Sequence, residues 1–155
     1  MSNQIQLASK THTISDEYIG YAYDVDKSFK PAKSHTGEVE LLCTYEPDNE
    51  YGCEGNIPYI AVQEDDSVFL AVDEFKDKGT IDNVMELTPL NGSFLFKAKM
   101  EYYGDIMYFY AFIQETGYWP QAGLCVVYPE KYAGTEDEYS LMKVLDAAAN
   151  SFRQI

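Results

Sequence analysis

The strongest constraint on this chain is the pattern between Ser93 and Tyr128. There Phe94, Phe96, Ala98, Met100 and Tyr102 alternate with Leu95, Lys97, Lys99 and Glu101. A period of two marks a strand with one face buried and the other largely wet. The pair Gly104-Asp105 follows, suited to a tight turn whose backbone needs positive φ. Through Ile106–Ile113 both alternating sets are apolar, which places that strand centrally in a sheet covered on both faces. A third apolar run, Leu124–Tyr128, comes after Gly117-Tyr118-Trp119-Pro120. The stretch predicts a hairpin and a third strand, and it carries no visible chemistry.

Around this core the chain reads as one domain. Residues 1–17 are polar and are expected to be loosely held, with 18–155 forming a single α+β unit. Tyr18–Val25 reads as a first strand, Lys27–Gly37 as a basic solvated loop, and Glu38–Tyr45 as a strand. Glu46–Asn56 is dense in turn formers and acids, hence a surface loop. Ile57–Val62 is a further strand, with Pro58 near its start, where a missing N–H is tolerated. Ser67–Lys78 fits a helix, with Asp65 or Asp66 as N-cap and Gly79 as the stop, though Ser67–Val72 also fits a strand. Thr88-Pro89-Leu90-Asn91-Gly92 reads as a turn. The C-terminal helix is the clearest: Thr135 and Glu138 form a capping-box pair, and Leu141, Val144, Leu145, Ala148 and Phe152 fall at helical spacing. Burying its three large aliphatics and Phe152 supplies on the order of 6–12 kcal/mol of gross transfer energy. The expected architecture is an antiparallel sheet of about five or six strands flanked by helices, with the terminal helix packed on the sheet.

The order of elements resembles the PsbP/Mog-like α/β/α sandwich. The resemblance is carried by Tyr18-x-Gly20-Tyr21, Ile57-Pro58-Tyr59-Ile60-x-Val62, an intervening acidic Phe-x-x-Phe-like segment and the Leu90-x-Gly92 lead-in to the hairpin. It continues through three core strands ending in Tyr128-Pro129 and a terminal helix closing on Asn150-Ser151-Phe152. It covers the chain from about Tyr18 onward and implies a noncatalytic scaffold. Similar proteins include photosystem-associated subunits, a nuclear GTPase-binding factor and Eag-type chaperones of secreted effectors; fold analogy does not choose among them.

Catalytic chemistry is not expected. His12 and His35 both lie in polar segments where no third group would hold them against a nucleophile. The three cysteines lack CxxC spacing; Cys43 and Cys125 read as core thiols, and Cys53 as exposed, with a Cys43–Cys53 disulfide disfavoured in a reducing compartment. Glu46-x-Asp48-x-Glu50 places alternate carboxylates on a loop, but an EF-hand would need Gly where Tyr51 stands and Glu where Ile57 stands; Asp24-x-Asp26 fails similarly. No phosphate loop, nucleophile elbow or HExxH motif occurs, so neither a cofactor nor a metal is expected.

Charge is the remaining signal. The formal net charge is −15, and between Glu38 and Glu86 there are 14 acids against 2 lysines. Such a chain is a poor ligand for nucleic acid or an anionic membrane, and well suited to a basic protein partner. Met1–Leu7 lacks a basic run before an apolar core, and no apolar run approaches the roughly 20 residues of a membrane helix, so a cytoplasmic protein is expected. The expected interface is Glu46, Asp48, Glu50, Tyr51, Glu54, Tyr59, Glu64, Asp65 and Asp66, where carboxylates interleave with tyrosine; the alternative is a solvated rim that serves solubility. These readings converge on a small bacterial immunity-type protein, monomeric or weakly dimeric, that occludes a basic partner such as a toxin. An Eag-like chaperone for apolar helices and a nucleic-acid mimic are the alternatives.

Overall fold

The computed structural model describes residues 5–16, 20–32, 42–45, 58–63, 84–102, 104–114 and 121–155. The alternating hairpin becomes β7 (Phe96–Tyr102) and β8 (Asp105–Ile113), and the third apolar run becomes β9 (Gln121–Pro129). Before them come β1 (Thr11–Asp16), β2 (Tyr21–Asp26), β3 (Phe29–Ala32), β4 (Leu42–Tyr45), β5 (Tyr59–Gln63) and β6 (Val84–Pro89). A 3-10 turn at Glu130–Tyr132, the helix α1 (Glu136–Ser151) and the short β10 (Arg153–Gln154) complete the described chain. A seven-stranded sheet has the order β3-β4-β5-β9-β8-β7-β6, and a three-stranded sheet the order β1-β2-β10, every pair antiparallel.

As the apolar pattern requires, β8 lies between β7 and β9, and residues on both of its faces are buried: Ile106 and Phe112 on one, Phe109 and Ala111 on the other. On the first face, α1 and the three-stranded sheet form a layer whose Ile14, Tyr23, Val25, Leu141, Val144, Leu145 and Ala148 share a core with Ile60, Leu124, Val126 and Tyr128. The opposite face holds a second core of Val84, Phe96, Ala98, Met100, Phe109, Ala111, Cys125 and Val127. At the end of α1, Phe152 stacks on Tyr21 with ring centres 4.9 Å apart and tilts against Phe112 and Phe94.

Two expectations about architecture are corrected. The described residues form ten strands in two sheets rather than about five or six in one, and contain one α-helix rather than helices flanking a sheet. The extra strands escape a periodicity reading because short polar strands are fixed by register and side-chain bonds. Thr11–Asp16 has a single apolar residue, Ile14, and that residue is buried. The expected first strand is therefore the second, β2, and within the stretch read as loosely held Ile5 and Ile14 are core residues. Likewise β3 occupies part of the expected Lys27–Gly37 loop, and Thr88-Pro89 ends β6 instead of forming a turn. The helix expected over Ser67–Lys78 lies outside the described residues.

Local signals were more exact at the termini of elements. Tyr102 pairs with Asp105, so Asp105 opens β8 instead of sharing the turn expected at Gly104-Asp105, and Gly104 has φ 85°. Thr135 caps α1 by accepting from the Glu138 amide at 3.4 Å, and the Glu138 carboxylate reaches back to the Gly134 amide at 3.2 Å. Both outer strands of the larger sheet carry a proline and a charge, Lys30 and Pro31 on β3, Glu86 and Pro89 on β6, the residues that blunt strand addition. Among the described residues no helix is long and apolar enough to cross a membrane.

Candidate functional site

The first face of the larger sheet changes character between β9 and its β6 edge. Alternation on β7 puts Lys97 and Lys99 on the α1 side, and hairpin register sets Lys97 opposite Tyr110 and Lys99 opposite Tyr108. The β6 pairing brings Glu86 beside Lys99. From the helix, Glu138 and Asp146, eight residues apart and so on one side of α1, complete a strip of lysines, tyrosines and carboxylates.

Every charge in this strip has a partner. Lys97 Nζ lies 3.0 Å from Asp146 Oδ1, which also accepts the Tyr110 hydroxyl. Lys99 Nζ lies 3.5 Å from Glu138 Oε2, which accepts the Tyr128 hydroxyl at 2.8 Å. The Tyr108 hydroxyl donates to Glu86. Lys97 stands over the rings of both Tyr108 and Tyr110, at 5.2 and 5.1 Å from their centres, and Lys99 over Tyr108 at 5.4 Å. Burial, reinforced by the carboxylates that accept their protons, pushes the phenols of Tyr108, Tyr110 and Tyr128 well above the usual range. They remain hydrogen-bond donors at neutral pH. Such a strip joins α1 to the hairpin through paired charges and hydrogen bonds.

Other reactive side chains among the described residues are similarly engaged. His12, expected to be solvated, is half-buried, and its Nε2 donates to the Phe29 carbonyl at 2.8 Å. A polar sequence context misleads here because β1 is laid against the start of β3. Cys43 and Cys125 are buried as expected, and burial pushes both thiols up to about 12. Cys53, its pairing with Cys43, and His35 lie outside the described residues. The Asp26 carboxylate accepts from the amides of Ala8, Ser9 and Ser28 and from the Ser28 hydroxyl. Among the described residues no group of three His, Cys, Asp or Glu could hold a metal ion.

Of the expected interface only Tyr59 is described. It begins β5, is half-buried against the second core, and its hydroxyl accepts from Gln63 at 3.4 Å. Glu46, Asp48, Glu50, Tyr51, Glu54, Glu64, Asp65 and Asp66 lie outside the described residues. Their points of attachment are fixed: the Tyr45 amide donates to the Pro58 carbonyl, closing the base of the 46–57 connection. Gln63, the last described residue before Glu64, ends β5 about 13 Å from Tyr59 along a strand rising ~3.3 Å per residue.

Sequence reasoning missed the Lys97–Lys99–Tyr108–Tyr110 strip as a unit. Its signal was present as Lys-x-Lys and Tyr-x-Tyr on the two arms of one hairpin, but pairing them needs the β7–β8 register. No protein-family model, curated protein or solved structure matches this chain.

Proposed function

We propose that this protein is a noncatalytic binding module whose acidic stretch occludes a basic protein partner, in the manner of an immunity protein covering the substrate cleft of a toxic enzyme. The observation that carries the reading is the segregation of charge. Fourteen acids against 2 lysines fall between Glu38 and Glu86, out of a net −15 for the whole chain. In the described scaffold, by contrast, Lys97, Lys99 and Arg153 are spent on internal carboxylates. Unbalanced carboxylates concentrated in one stretch attract a basic surface, speed encounter and select against acidic partners.

Reversing Glu46, Asp48, Glu50 and Glu54 to Lys tests this directly. A basic partner should then associate more slowly and bind at least about tenfold more weakly at low ionic strength, with the difference shrinking as salt rises. Unchanged affinity at low salt would remove that stretch from the interface.

A further inference from the structure

Residues Ile5–Ser9 belong to no strand, yet four of their five amides are bonded to side chains of distant elements. The Ile5 amide donates to Asp137 Oδ1 at 3.0 Å, in the first turn of α1. Gln6 donates to the Tyr45 hydroxyl at 2.7 Å, at the end of β4. Ala8 and Ser9 donate to the two oxygens of Asp26, at 2.9 and 3.0 Å. Ile5 is buried and Leu7 partly so, both against the core that contains Tyr132 and Leu141. Ser9 has φ 59°, the one positive value for a non-glycine among the described residues. That left-handed conformation is unfavourable for a serine, and two Asp26-bonded amides hold it in place.

We propose that Ile5–Ser9 is a strap that opens as one unit about Ser9, ahead of the rest of the fold, and exposes the core surface beneath Ile5 and Leu7 together with Asp137 and Tyr45, the side chains it covers. A strand in a sheet is retained by a continuous ladder, whereas this segment is held by separate side-chain acceptors and two apolar anchors. Segments with few buried apolar contacts open at a fraction of the global free energy. The left-handed Ser9 relaxes on opening, which lowers that cost further. The acceptors sit on three different elements, so losing any one bond loosens a segment that can only close with all of them aligned. Beyond the hinge the Lys27 amide donates to the Lys10 carbonyl, which marks where the moving part ends.

Residue-resolved amide hydrogen exchange on the full chain at near-neutral pH tests the proposal. The amides of Ile5, Gln6, Ala8 and Ser9 should share one opening constant, at least about a hundredfold larger than that of core amides in β8 and β9. Asp26→Asn touches only Ala8 and Ser9 within the segment, yet should speed exchange at Ile5 and Gln6 by the same factor, about tenfold. Tyr45→Phe, which within the segment removes only the acceptor of Gln6, should in turn speed Ala8 and Ser9. An effect confined to the amides that lost their acceptor, in either variant, would overturn the strap. So would exchange of all four amides only through global unfolding.

Discussion

Glu138→Gln probes the joint between α1 and the hairpin most sharply. One carboxylate oxygen of Glu138 faces Lys99 Nζ at 3.5 Å and accepts the Tyr128 hydroxyl at 2.8 Å; the other accepts the Gly134 amide at 3.2 Å. The Lys99 and Glu138 side chains are 14% and 16% exposed, so the pair is mostly withdrawn from water. Glutamine keeps the shape but removes the charge opposite Lys99 and turns an amide donor toward one of three donors. Breaking a fully buried pair costs about 3–5 kcal/mol, and an exposed pair contributes roughly 0–1. At this intermediate exposure the loss should be about 1–3 kcal/mol. For a chain of this length that lowers Tm by about 2–12 °C. The assay is thermal and urea unfolding of the wild type, Glu138→Gln, Lys99→Met and the double variant. Removing both charges leaves neither unpaired, so the double variant should be more stable than the sum of the singles implies, by about 1 kcal/mol or more. A Glu138→Gln loss within about 0.5 kcal/mol, or strict additivity, would refute the claim that this strip clamps the helix.

Three further outcomes follow from the same structure. Leu145 is fully buried on the sheet-facing side of α1, so Leu145→Ala should cost about 2–5 kcal/mol in urea unfolding; a loss below about 1 would mean that the helix is not packed as described. Burial alone would raise the Asp26 carboxyl, but the Ser28, Ala8 and Ser9 donors outweigh it and hold it below its ordinary value. Its contribution is therefore complete above the unfolded-state value of about 3.9 and disappears as pH falls through the lower folded value. The stability gap between the wild type and Asp26→Asn should accordingly hold constant from about pH 7 down to about pH 5 and narrow below about pH 4, and a gap independent of pH would contradict the assignment. Finally, with thiols at about 12, Cys43 and Cys125 should be inert to a thiol reagent in the folded protein at neutral pH. In a Cys53→Ser background, labelling faster than unfolding would contradict their burial.

The parts of this fold legible in the sequence were those that depend on one element at a time. The doubly apolar Ile106–Ile113 run revealed a central strand, and Thr135 with Glu138 revealed the start of α1, because burial and capping each leave a local pattern. What escaped depends on pairing between distant residues. Nothing in Thr11–Asp16 announces a strand until its register with Tyr21–Asp26 is known. The partners of Asp26, Asp137 and Tyr45 lie in a polar N-terminal run, 18, 132 and 39 residues away at the Ala8, Ile5 and Gln6 amides. Lys97 and Lys99 looked like a wet face because sequence does not show that a helix brings Asp146 and Glu138 to them. The acidic interface rests on composition, and of its residues only Tyr59 is described, so charge remains its support.

The central claim, a basic protein partner held by the acidic stretch, is tested most directly by capture from the native host, with washes at low and at high salt. The chain reversed at Glu46, Asp48, Glu50 and Glu54 runs alongside as the control. The account expects a basic protein retained by the wild type at low salt, released at high salt and not retained by the reversed chain. A partner that stays bound at high salt and binds both chains equally would contradict it, and would place recognition on an apolar surface instead.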